Sequence, residues 1–291
     1  MSEFFLELFS EEIPANLQKN ARETLLKDFT KLFEDKKITF KKSCSFSIPN
    51  RLVILFENLS KELIQKKEEI RGPNTSAPKN AIDGFLRSNQ IKQDQIFKKK
   101  TEKGEFYFFN KPEKKMKTFE ILQENIPLIL DKIHWKKSMK WSEFELSWGR
   151  PLKSILAIFD NKSLLFKYHH IQSSNETYLD KEFEDKKRKF KNFKSYNDHL
   201  KKLGVIIDNI QRKNFIENQL KKISKRKNII IEIDNRLLQE VTDLVEQPNI
   251  ISCKFDKKFL HIPKEILIIT MQHHQKYFHT FNNLGKITNE F

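Results

Sequence analysis

With 291 residues, 38% of them hydrophobic and 26 of them Phe, the chain can build one large domain or a few small ones around aromatic bulk. Six Gly and nine Pro exclude a collagen-like or Gly-rich chain, no apolar run reaches membrane-span length, and Cys44 and Cys253 match no metal or redox spacing. The formal charge is +16, with Lys outnumbering Arg by 46 to 9; codon bias explains Lys in place of Arg but not the excess positive charge, for which a polyanionic partner is the leading explanation.

The opening, Phe4 to Phe9, reads as a strand; it has no basic flank of the kind a signal peptide carries. A helix follows from Pro14, with Ile13, Leu17, Ala21, Leu25, Phe29 and Leu32 or Phe33 forming one buried stripe. Lys37 to Ser47 and Arg51 to Leu59 read as strands. Residues 60–80 are polar and contain a turn signal, Arg71-Gly72-Pro73-Asn74; a short helix is expected over Pro78 to Ser88 and a hairpin over Phe97 to Asn110, with Lys103-Gly104 at its tip. Thr118 to Ile133 reads as a helix that Pro127 bends or starts. Ser154 to Phe159 and Ser163 to Tyr168 flank Asp160-Asn161-Lys162 as a hairpin.

Residues 181–227 hold 16 Lys or Arg against 6 Asp or Glu, most of the charge excess of the chain. Phe183, Phe190, Phe193 and Tyr196 interleave with Lys186, Lys187, Arg188, Lys189, Lys191 and Lys194. Cations bind phosphates and aromatic faces stack on unpaired bases; the competing reading makes the rings core and the lysines a solvated face. Lys186, Lys187, Arg188 and Lys189 are the candidate RNA contacts. Arg212 falls in register with Ile216, Leu220 and Ile223, which predicts a side chain that snorkels to water or, on the sharper reading, meets a buried carboxylate or a phosphate. Asn235 to Glu246 reads as a helix, Ile250 to Phe255 as a strand, and Glu265 to Met271 as a buried apolar helix or strand. Tyr277 and Phe278 supply adjacent aromatic surface, one expected to pack inward and the other to meet a partner. His273, His274 and His279 lack the spacing of a zinc helix, and no phosphate-cradling Gly loop or nucleophile elbow occurs.

A series of short blocks then resembles one family in order along the chain. Phe5-Leu6-Glu7-Leu8-Phe9-Ser10-Glu11-Glu12-Ile13-Pro14, Ile48-Pro49-Asn50-Arg51-Leu52, Arg71-Gly72-Pro73, Gly84-Phe85-Leu86-Arg87, Lys103-Gly104-Glu105-Phe106, Met139-Lys140-Trp141, Arg150-Pro151, Leu238 to Pro248, Phe259 to Pro263 and Gln275-Lys276-Tyr277-Phe278 are similar to the beta subunit of the bacterial two-subunit glycyl-tRNA synthetase. Gln247 departs from the family's usual Trp, and the stretch from Tyr178 to Phe183 departs from its G-H-R-F. The resemblance implies an alpha2-beta2 cytoplasmic enzyme that joins glycine to tRNA(Gly). Its alpha subunit uses ATP and Mg; the present chain, a shortened one by family standards, binds no cofactor or metal of its own and has no catalytic residue. It also adds Arg51, Arg71 and Arg150, which sit beside turns in family-like blocks, to the candidate tRNA contacts; the competing reading makes Arg51 and Arg71 structural partners of nearby carbonyls. The expected fold is α+β, with mixed or antiparallel sheets and packed helices, more helical in the second part, divided as 1–70, 71–180 and 181–291. The alternative is a free-standing RNA-binding or editing-like module related to the beta subunit of phenylalanyl-tRNA synthetase; a purely structural scaffold is a third reading.

Overall fold

Strand β1 (Glu3–Ser10) is apolar on both sides from Phe4 to Phe9 except at Glu7, the pattern of a strand covered on both faces. The computed structural model describes residues 2–65, 68–102, 104–178 and 186–291. After β1 come α1 (Ala15–Lys36), β2 (Lys42–Ile48), β3 (Arg51–Glu57), β4 (Glu62–Gln65), β5 (Glu68–Asn74), α2 (Lys79–Asn89), β6 (Ile96–Thr101), β7 (Gly104–Lys111), β8 (Lys114–Lys117) and α3 (Thr118–Leu130). The chain continues through β9 (Leu152–Phe159), β10 (Lys162–Ser163), β11 (Lys167–Tyr168), β12 (Ile171–Gln172), β13 (Glu176–Tyr178), β14 (Lys187–Lys189), α4 (Phe193–Lys202) and α5 (Asn209–Lys227). It ends with β15 (Ile230–Ile231), α6 (Asn235–Leu244), α7 (Lys264–Ile269) and β16 (Thr280–Phe281). The fold is α+β with antiparallel sheets throughout the named pairings.

The chain forms two compact units, one of residues up to Leu59 together with Leu122–Phe291, the other of Ser60–Ile121. This differs from the expected consecutive segments 1–70, 71–180 and 181–291. The reason is the pairing of β1 with β9, Phe4 opposite Phe159, which puts strands from both ends of a long stretch of sequence into one sheet.

In the larger unit five strands run in the order β10-β9-β1-β3-β2. Alternate residues of β1 serve opposite faces. Phe4 meets Phe29 and Phe33 of α1 and Phe56 of β3, so the helical stripe read from the sequence is the lid of one face. Phe5 meets Phe193 and Tyr196 of α4 on the other, in a cluster with Val53, Leu55, Leu156, Ile158, Phe190 and Leu200. A smaller core of Ile216, Leu220 and Leu238 lies between α5 and α6 and takes in Phe278. The β9–β10 hairpin turns through Asp160 and Asn161, both at positive φ as a two-residue turn of this hand requires.

The smaller unit holds the sheet β5-β7-β6, the ribbon β4–β8 and α2. Three expectations are corrected here. Residues 60–74 carry two strands, and Arg71-Gly72-Pro73-Asn74 is a bulge within β5, the turn following at Thr75 and Ser76. A bulge and a turn use the same Gly and Pro chemistry, so the signal was real and its type was not. In the larger unit, Ile250 to Phe255 is extended but makes only isolated pairing with residues 289–291, not a strand. Glu265 to Met271 is not buried all round: Ile266 and Ile269 are half exposed, because the six-residue α7 and the single π-turn after it lie at the surface and only Met271 turns inward.

Candidate nucleic-acid interface

The basic strand β14 pairs antiparallel with β13, Tyr178 opposite Lys187, Thr177 opposite Arg188 and Glu176 opposite Lys189. Lys186, Lys187, Arg188 and Lys189 are all exposed. Lys187 Nζ lies 4.7 Å over the Tyr178 ring. Phe183 and the rest of residues 179–185, where the sequence departs from the family pattern, lie outside the described residues.

What fixes this ribbon is Arg51, and here the structure overturns an expectation. Arg51 is 2% exposed and reaches no solvent phosphate. Its guanidinium donates to Glu7 Oε1, to Thr177 Oγ1 (3.2 Å) and to the Tyr178 carbonyl (2.6 Å), and lies 4.5 Å from the centre of the Phe9 ring. The Thr177 hydroxyl donates to Glu7 at 3.0 Å, and Tyr178 stacks on Phe9. Burial pushes the Glu7 carboxyl above its ordinary range, while the Arg51 charge and the two hydrogen bonds pull it back. Two opposite charges leave water at less cost when each offsets the other, which is why Arg51 faces Glu7 rather than a partner molecule.

Behind β14, Phe190 and Tyr196 are buried in the core, edge to face with each other, and Phe193 stacks on Phe46. Their rings are therefore not platforms for bases; the competing reading holds for them. The cations are solvated: Lys194 and Lys201 project from α4 opposite its buried Tyr196 and Leu200, with Asp198 between them. Arg188 Nη1 sits 3.1 Å from His199 Nδ1, which joins strand and helix. Burial first, then the charges of Arg188 and Lys202, hold the His199 imidazole below its ordinary 6.5.

Arg150 is half-buried and donates to the Gly149 carbonyl at 2.8 Å. Arg71 is exposed in the smaller unit, 3.6 Å over the Phe106 ring. Of the six candidate cations in the larger unit, the run Lys186 to Lys189 is exposed and Arg51 is internal. Tyr277 is 40% exposed and stacked on Phe291 at 4.5 Å, whereas Phe278 packs inward, both in a segment without regular structure.

Arg212 does not snorkel. It is fully buried, donating to the carbonyls of Thr242 (2.8 Å), Ser47 (2.8 Å), Ile206 and Ile207. Arg212 Nη2 and Arg22 Nη1 each stand 3.9 Å from Asp243 Oδ1, so the carboxylate reading of the sequence was the right one. Burial lowers Arg212 to about 10, and it remains charged at neutral pH. Sequence reasoning missed Arg22 and Asp243. Arg22 lies beside Ala21 and Leu25 on the buried face of α1, and a charge on that stripe was the available signal. It missed His199 as well, whose place beside Arg188 depends on how α4 packs.

His279 is buried against Glu232 at 3.1 Å, while His273 and His274 are exposed; among the described residues no three His, Cys, Asp or Glu side chains are grouped to hold a metal. Among them, too, no helix is long and apolar enough to cross a membrane.

Fold and site define a basic α+β chain whose surface cations stand on a scaffold of internally paired buried charges. A family described as glycyl-tRNA synthetase beta subunit matches residues 4–291. The chain is 39% identical over its full 291 residues to the glycine–tRNA ligase beta subunits of Rickettsia peacockii (strain Rustic) and Rickettsia conorii (strain ATCC VR-613 / Malish 7), covering 44% of each. It is 38% identical to that of Rickettsia felis (strain ATCC VR-1525 / URRWXCal2), again covering 44% of its length. The chain belongs to the glycyl-tRNA synthetase beta subunit family and spans less than half the length of these curated relatives.

Proposed function

We propose that the chain acts as the N-terminal part of a beta subunit in glycine–tRNA ligase, supporting the ATP-dependent attachment of glycine to tRNA(Gly). It holds tRNA by its phosphates in the cytoplasm, while an alpha subunit in an alpha2-beta2 assembly binds glycine, ATP and Mg. Family membership across residues 4–291 carries this reading. The exposed run Lys186 to Lys189, fixed to the sheet through Thr177 and Tyr178, supports the tRNA part of it. Nothing favours the phenylalanyl-type editing module, since the relatives are glycine–tRNA ligase beta subunits. Lys is a flexible point charge, suited to phosphates rather than to base edges.

The test is a titration of tRNA(Gly) against the chain over a salt series. Binding should weaken steeply with salt, by roughly 0.7 log units per tenfold salt for each phosphate neutralised. Replacing Lys187, Arg188 and Lys189 together by Gln should make the slope shallower by about 2 and weaken all tRNAs alike. A flat response, or loss of one tRNA species only, would reject the phosphate-tracking role.

A further inference from the structure

The sheet β5-β7-β6 of the Ser60–Ile121 unit has two unlike sides. Pleating sends alternate residues to opposite sides, and directly paired residues share one. Ile70, Gly72, Tyr107 and Phe109 face α2. The Phe85 ring presses on Gly72 so closely that a Cβ there would lie 2.8 Å from it. The other side carries Arg71, Phe97, Lys99, Phe106 and Phe108, by the pairings of Phe97 and Arg71 with Phe108 and of Lys99 with Phe106.

Contacts along that side agree with the register. The Arg71 guanidinium lies 3.6 Å over the Phe106 ring, Lys99 Nζ lies 5.4 Å over the Phe108 ring, and Phe97 stacks on Phe108 at 6.2 Å. Arg71 and Lys99 are exposed and Phe97 is 36% exposed, while Phe106 is half-buried and Phe108 is buried beneath Phe97 and Lys99. Glu69 binds Lys99 at 2.6 Å and offsets its charge, but Arg71 keeps one guanidinium face on a ring and the opposite one toward water. Lys98 and Lys100 of β6, both exposed, fall on the opposite side with Tyr107.

We propose that the exposed planes of this side, the Phe97 ring and the Arg71 guanidinium, form a stacking platform for unpaired nucleotides of an RNA strand. Aromatic rings and guanidinium planes accept any base on their faces, and cations set between them neutralise the phosphates that link those bases. A protein partner would call for a continuous apolar patch, whereas here Phe106 and Phe108 each have a cation over the ring. The proposal rests on the reading that the chain engages RNA, but it uses no residue of the β13–β14 ribbon.

The test uses the 291-residue chain and fluorescence anisotropy with a short, labelled oligoribonucleotide, against a strand of equal length and charge whose sugars lack bases. The strand with bases should bind about fivefold or more tighter. Phe97→Leu keeps an apolar side chain and Arg71→Lys keeps a charge; each should bring binding of that strand close to that of the baseless one. Both positions reach the surface, so circular dichroism should not change; should Arg71→Lys fold poorly, Phe97→Leu carries the test. The Gln substitutions at Lys187, Arg188 and Lys189 should leave the ratio between the strands intact. Equal binding of the two strands, no binding of either, or variants indistinguishable from the parent would overturn the platform, whatever the salt dependence of tRNA binding shows. A flat salt response with the ratio intact would instead overturn the phosphate ribbon alone.

Discussion

Arg51 and Glu7 share a site from which water is excluded, so neither tolerates loss of the other. Arg51→Met leaves a buried carboxylate without its partner and should lower the unfolding free energy by about 3–5 kcal/mol in urea denaturation. The double variant Glu7→Leu/Arg51→Met removes both charges and should recover most of that loss. If the single variant were as stable as the parent, Arg51 would not be the anchor of the ribbon. His199 offers a second handle at this scale. Its pKa is held below 6.5 in the free protein by burial, Arg188 and Lys202. A phosphate docking beside Arg188 favours the imidazolium and raises that value, so binding takes up a proton. The sign follows: tRNA affinity should increase as pH falls through and below 6.5, and His199→Gln should flatten that trend. Affinity independent of pH in the parent would place phosphates away from His199. From the sequence, both residues look like ordinary surface-capable polar groups; only their neighbours distinguish an anchor from a contact.

Elements with strong local chemistry could be read directly. The stripe of α1 and the Asp160-Asn161 turn needed no tertiary knowledge, because helical periodicity and positive φ are local properties. Other elements depended on a distant partner. Gly149, in the segment before β9, is required by one: a Cβ there would lie 2.5 Å from the Trp135 indole, itself packed on Trp148 at 5.2 Å. Gly149→Ala should therefore cost about 1–3 kcal/mol through overpacking and shift the tryptophan emission, both measurable in one fluorescence-monitored unfolding experiment. An unchanged midpoint would show that the indole can move aside freely. The bulge of β5 was read as a turn because its glycine and proline do not reveal whether a neighbouring strand continues the ladder.

Across the whole molecule, the two units differ in how much they bury. Ser60–Ile121 contains Phe108, Phe109, Thr118 and Ile121 as its buried side chains among the described residues, whereas the larger unit has long runs of fully buried positions in β1, β3 and β9. Local opening follows buried contact, so amides of β6 and β7 should exchange hydrogen faster than those of β1 and β3. Equal protection in a native-state exchange experiment would mean that the units unfold together. The sequence by itself determined the α+β class, the buried stripe of α1, the basic character of residues 186–227 and the family, since composition, periodicity and ordered motifs are carried by the chain without folding. Only the tertiary structure decided that β9 joins β1, that Arg51 and Arg212 are internal, and that Phe190 and Tyr196 are core. Each of these depends on which distant groups close around a side chain. Desolvation by such neighbours is the physical difference between an arginine that holds a fold and one that can meet RNA.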